Sequence, residues 1–146
     1  VRNKTTAVTA WEALFRAQVS VMRYLNAEFP TGELSLNEYD VLFNLSRQPG
    51  RQLRMKDLNR HLLLTQPSVS RLVDRLTVRG LLAKSHDRDD ARGVNVTLTP
   101  EGFELFRRMA RSHIESIAER VGGSLSTTEL ETLTDLCDRL RLAEQK

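Results

Sequence analysis

The order of helix and turn signals between Arg54 and Pro100 narrows the possible folds of this chain more than any other feature. A short helical pattern runs from Arg54 to about Leu62, and a three-residue break separates it from the helix that Thr65 caps. Thr65 has the chemistry of an N-cap, and Pro67 is tolerated in the first turn of the helix it opens, where its missing N–H is not needed. The stretch Gln66 to Arg79 is anchored by Val69, Leu72 and Val73, and Gly80 stands just past its end as a C-terminal stop. After Gly80 the period changes. Two short segments, Leu81–His86 and the β-branched Val94–Thr99, flank the polar run Asp87–Gly93, which reads as a β-hairpin.

The flanks are helical. Apolar residues at Val8, Trp11, Leu14, Phe15, Val21, Met22, Leu25 and Phe29 predict one amphipathic helix, stopped by Pro30, Thr31 and Gly32. Ser35 with Glu38 forms a capping-box pattern that opens a second helix through Arg47, closed by Pro49 and Gly50. Thr99 caps a long helix with Pro100 at its first position and Gly122 and Gly123 at its end, and Ser126 with Glu129 opens the last one. The expected fold class is mainly α with a small β wing (α+β). A winged helix-turn-helix lobe spans residues 35–99, and helices within 1–30 and 100–146 are left over with apolar seams. At 146 residues these parts fit a single domain covering 1–146.

Charge distribution adds to this. The net charge is only +3, yet residues 51–92 hold ten Lys and Arg against five aspartates, whereas residues 1–50 balance at five of each sign. A basic block inside a near-neutral chain is the footprint of a surface that meets nucleic acid, or of an ordinary solvated face. A helix from Gln66 to Arg79 is about 21 Å long, enough to lie across a major groove about 12 Å wide. Its first turns carry Gln66, Ser68, Ser70 and Arg71, whose amide, hydroxyl and guanidinium groups suit base edges, while Arg75 and Arg79 further along suit phosphates. In the hairpin tip, Arg88 and Arg92 supply cations. Asp90, two residues from Arg92, has the reach to hold that guanidinium extended toward a minor groove. A calcium loop is a poor reading of the same aspartates, because Ala91, Arg92 and Leu98 occupy positions that need oxygen ligands or glycine.

The stretch "QPSVSRLVDRL" followed by Gly80, and then "DARGVNVTLTPEG" with its D-x-R-x-x-x-V-x-L-T spacing, resembles the MarR family of transcription factors. At motif level the resemblance covers about Leu36 to Gly102, and the flanking helices agree in number and order. It implies a homodimer built by the terminal helices, two winged lobes on successive major grooves of double-stranded DNA, and repression relieved by a small ligand or by oxidation. It assigns Gln66, Ser68, Ser70, Arg71 and Arg75 to the recognition helix, and Asp90 and Arg92 to a wing pair. Exposed apolar seams on the terminal helices point to a homodimer independently, with packing inside one chain as the alternative.

Trp11, Arg16 and Tyr39 form a candidate pocket for a small aromatic or anionic effector, since an aromatic wall with one guanidinium suits an aromatic carboxylate. Cys137, the one cysteine, sits among leucines and reads as a buried structural thiol, with a reducing, cytoplasmic setting as the simplest home. No metal site is expected from the scattered His61, His86 and His113, of which only His86 has ligand-type neighbours at such spacing, Asp89 and Asp90, and these make no convincing site; no cofactor or enzyme motif is found. No apolar run reaches the ~18 residues of a membrane span, and Glu12, Arg16, Arg23 and Glu28 interrupt the first apolar segment, which does not read as a secretory signal. The rival reading of the lobe is a winged-helix module that binds protein through its basic face without sequence-specific DNA binding.

Overall fold

A computed structural model describes residues 3–30, 32–86, 88–89 and 92–143. The chain divides into two compact units, residues 29–112 and residues 1–28 with 113–146.

The first unit is the winged helix-turn-helix lobe. Helix α2 (Leu36–Ser46) starts where the sequence pattern placed it: Ser35 N–H donates to Glu38 Oε1 at 2.8 Å and Glu38 N–H to Ser35 Oγ at 3.1 Å, so two otherwise orphaned donors are satisfied reciprocally. A tight turn over Pro49–Arg51 follows, with Gly50 and Arg51 both at positive φ. The Arg51 guanidinium lies 3.4 Å above the ring of Phe103, a cation–π contact that holds this residue in an unfavourable backbone region. Next come β1 (Gln52–Arg54), α3 (Met55–Arg60), α4 (Gln66–Val78), β2 (Leu82–His86) and β3 (Val94–Leu98). The helix α5 (Pro100–Gly122) contributes its residues up to Ser112 to this unit.

The expected hairpin is present, but the sheet has a third strand. β3 lies in the middle, paired antiparallel with β2 from Leu82↔Leu98 to His86↔Val94 and with β1 from Gln52↔Thr97 to Arg54↔Asn95. Three residues after a Pro-Gly turn carry no alternation of their own, so only pairing makes β1 a strand. The short helix before α4 also ends two residues earlier than expected. Its last turn closes when His61 N–H donates to the Leu58 carbonyl, which leaves His61–Thr65 as the connection.

The core of the lobe is aliphatic. Val41, Leu42 and Leu45 of α2, Leu58 of α3, Val69, Val73 and Leu76 of α4, and Val96 of β3 have no exposed surface. Fully burying each such side chain contributes on the order of 1.5–3 kcal/mol. Beside this core Tyr39 stacks on Phe106 at 5.3 Å and meets Phe29 edge-on at 5.4 Å. Burial pushes the Tyr39 hydroxyl up to about 12 and the neighbouring Asp40 carboxyl up to about 6.

The second unit contains α1 (Lys4–Glu28), the remainder of α5 and α6 (Thr127–Leu142). Asn3 caps α1 through its side-chain oxygen, which accepts from Thr6 N–H at 3.1 Å, and Ser126 with Glu129 completes the expected capping box on α6. That backbone hydrogen bond, with the Ser126 side chain, holds the Glu129 carboxyl below its ordinary range. Burial lowers the pKa of His113. Most large apolar side chains here are exposed: Trp11 at 60%, Ile114 at 61% and Leu140 at 63%.

The C-terminal end of α4 is knitted to the start of α5. Gly80 at φ +77° closes a Schellman turn, Leu81 N–H donating to the Leu76 carbonyl and Gly80 N–H to that of Thr77. Thr99 N–H then donates to the Leu81 carbonyl, and Thr99 Oγ1 to the Gly80 carbonyl at 2.7 Å. Gly102 packs so closely here that a Cβ would collide with the Leu81 carbonyl oxygen and lie 2.8 Å from Leu98 Cδ1. Gly102→Ala is therefore expected to lower the unfolding free energy by about 1–3 kcal/mol. Urea denaturation checks this, and an unchanged midpoint would contradict the packing.

Candidate nucleic-acid interface

The polar face of α4 is set by its apolar one. Val69, Leu72, Val73 and Leu76 anchor the helix in the lobe, which leaves Gln66, Ser70, Arg71, Asp74 and Arg75 exposed on the opposite side. Four of the five residues named for the recognition helix stand on this surface. Ser68, the fifth, is half-buried in the cap: its N–H donates to Thr65 Oγ1 at 3.3 Å and its Oγ accepts from Thr65 Oγ1 at 2.9 Å. Ser68 Oγ also accepts from Arg71 Nη2 at 3.3 Å, so Ser68 orients the guanidinium rather than projecting beyond it.

Gln66 and Ser70 share a groove of about 350 Å³ with Arg92 at the root of the wing. The same groove receives Arg54, Lys56 and Asn59 from the β1–α3 segment, which the sequence reading did not assign to the site. Asn59 Oδ1 is buried there with no hydrogen-bond partner. The signal for this group was the basic block itself, whose members Arg54 and Lys56 lie just upstream of α4 and are brought beside the Arg92 end of β3 by the β1–β3 pairing. Three cations, two amides and a hydroxyl around one concavity can hold phosphate oxygens and donate to base edges.

Arg88 is exposed beyond β2, and Arg92 is exposed before β3. Asp90 lies outside the described residues, and with it the expected Asp90–Arg92 pair. Arg79 turns toward α2, 3.9 Å from Glu38, so an acidic neighbour partly neutralises a cation expected to suit phosphates. Lys84 Nζ on β2 is 2.6 Å from Asp74 Oδ1 on α4.

The residues named for an effector pocket fall in separate places. Trp11 faces an apolar groove of about 360 Å³ between α1 and α6 with Leu133, Leu136, Cys137 and Leu140. Cys137 is thus half-buried at a groove, not fully buried. Arg16 lines another concavity on α1, of about 380 Å³, with Phe15, Val19, Ser20 and Arg23. The rings of Trp11 and Phe15, 5.8 Å apart, connect the two grooves. Tyr39 belongs to the other unit, where its ring is buried. Among the described residues no cluster of three or more His, Cys, Asp or Glu could hold a metal ion, and no helix is long and apolar enough to cross a membrane.

Comparison with known proteins agrees with this geometry. A MarR family model matches residues 33–93, from the start of α2 to the wing. The HTH-type transcriptional regulator PecS of Dickeya dadantii is 30% identical over 104 residues, which cover 70% of this chain and 63% of PecS, somewhat less than two thirds of its length. The crystal structure of Sco3205, a MarR family transcriptional regulator from Streptomyces coelicolor, in complex with DNA, superposes with a TM-score of 0.80 at 23% identity, covering 100% of this chain and 92% of that one. BpsR of Bordetella bronchiseptica, described for the regulation of its DNA binding by 6-hydroxynicotinic acid, superposes with a TM-score of 0.74 at 29% identity over 89% of this chain and 91% of its own. The chain belongs to the MarR family of winged helix-turn-helix transcriptional regulators, a family of DNA-binding proteins and not of enzymes.

Proposed function

We propose that this protein binds double-stranded DNA sequence-specifically as a homodimer, with α4 in the major groove and the wing along the neighbouring backbone. The observation that carries this reading is the joining of the exposed face of α4 to the cationic groove at the wing root, through Gln66, Ser70 and Arg92. In this reading Gln66, Ser70 and Arg71 meet base edges, with Ser68 steadying Arg71, while Arg75, Arg88 and Arg92 meet phosphates or the minor groove, and Asp90 orients Arg92. Homodimer formation is supported by the exposed apolar surface of α1 and α6 around Trp11, Leu136 and Leu140, which is costly to leave in water. Occupancy of an operator by such a dimer gives repression as the expected outcome.

Selection of bound duplexes from a random pool tests this reading. The expected product is a pseudo-palindrome with half-site centres about 10 base pairs apart. On the selected duplex, Arg71→Ala is expected to cost about 1–3 kcal/mol of discrimination at one base pair per half-site. Failure to enrich any sequence would favour the protein-binding module instead.

We further propose release by a small aromatic anion, with Arg16 as its anchor beside the Trp11–Phe15 ring pair. Two guanidiniums, Arg16 and Arg23, flank the apolar Phe15 and Val19, a combination that suits an aromatic carboxylate. The likeness to BpsR, whose DNA binding is regulated by an aromatic acid, supports the same ligand class. In a titration of the DNA complex with hydroxylated benzoates and 6-hydroxynicotinate, Arg16→Ala is expected to raise the releasing concentration about 10- to 100-fold. An unchanged potency for every effective compound would sink the assignment.

A further inference from the structure

One contact on the DNA-facing side of the lobe is not explained by stability or by recognition. Asp74 stands on α4 one turn beyond Ser70 and Arg71, on the same exposed face, and its carboxylate accepts from Lys84 Nζ of β2 at 2.6 Å. The two side chains are 60% and 39% exposed, so the pair is screened by water and adds little to folding. A carboxylate on a surface that meets a polyanion is also unfavourable in itself, unless a neighbouring cation offsets it. Lys84, conversely, has the long stem and point charge of a general phosphate ligand, which would add affinity for DNA of any sequence.

We propose that Asp74 is a specificity-determining residue that acts by keeping Lys84 away from phosphate. The pair cancels one positive charge per lobe on the face where an extra cation would raise non-specific affinity most. The contacts of Gln66, Ser70 and Arg71 are left to decide where the protein stays. Asp74 is in this sense a positioning residue working through Lys84, and the role rests on the reading of α4 as the recognition helix.

The test uses the full chain, the duplex selected from the random pool and a scrambled duplex of the same composition, with affinities measured across a salt series. Asp74→Asn is expected to tighten binding to the scrambled duplex several-fold and to steepen the log–log salt slope by about one unit per engaged lobe. The operator-to-scrambled ratio then falls. Asp74→Glu keeps the charge and is expected to behave as the unaltered protein, whereas Lys84→Gln placed in the Asp74→Asn background reverses the gain. Lys84→Gln alone is expected to leave the slope unchanged. If Asp74→Asn changes neither slope nor ratio, or if Lys84→Gln alone flattens the slope by about one unit, Lys84 is not restrained by Asp74 and the proposal is wrong. Absence of any preference by the unaltered protein would overturn the assignment of α4 itself, and the proposal with it.

Discussion

The arrangement of the lobe depends on the burial of one stripe of α4. Val69, Leu72, Val73 and Leu76 are held among the aliphatic side chains of the lobe core, and a helix fixed along one face has no freedom to choose what the other face shows. Rotation by even one residue, about 100°, would carry Val73 into water and a serine or arginine into the core. Thr65 fixes where the helix begins, and the Schellman turn at Gly80 fixes where it stops. The polar surface is therefore a rigid one, with its residues at defined heights along the axis.

What α4 presents gains its chemistry from the wing. The β1–β3 pairing brings Arg54 and Lys56 to the side of Gln66 and Ser70, and the return of the chain after the wing tip brings Arg92 to the same groove. The Lys84–Asp74 contact links the second wing strand to the helix from the other direction. Positive charge is thus concentrated where a duplex would lie, while Arg79 is drawn toward Glu38. In the other unit the apolar stripe of α1 finds leucines of α6 but remains largely exposed, the surface on which the proposed homodimer rests.

Much of this was legible in the residues alone, for identifiable reasons. Helix starts at Ser35, Thr65, Thr99 and Ser126 are set by local hydrogen bonds between a hydroxyl and an N–H three residues on, so the sequence carries the whole signal. The outward face of α4 followed from the spacing of its aliphatic residues. Strand β1 was not legible, because its three residues owe their conformation to a partner more than forty positions away. Arg54, Lys56 and Asn59 were not assigned to the site because their place beside Arg92 depends on that same strand pairing. Ser68 was assigned to the surface by residue type, yet its position in the cap gives its hydroxyl to Thr65 and Arg71. Trp11 and Arg16 looked like parts of one wall, but five positions along a helix turn two side chains well apart, and each lines its own groove.

The central claim is that the exposed face of α4, with the root of the wing, is the surface that reads DNA. Amide hydrogen exchange of the protein, free and bound to the selected duplex, tests it most directly because exchange protection reports the contacted surface residue by residue. The account predicts added protection confined to Gln66–Arg75, to Arg54–Lys56 and to the wing at Arg88 and Arg92–Val94, at equal protein concentration. Protection that leaves those segments unchanged and appears instead along α1 or α6 would contradict it.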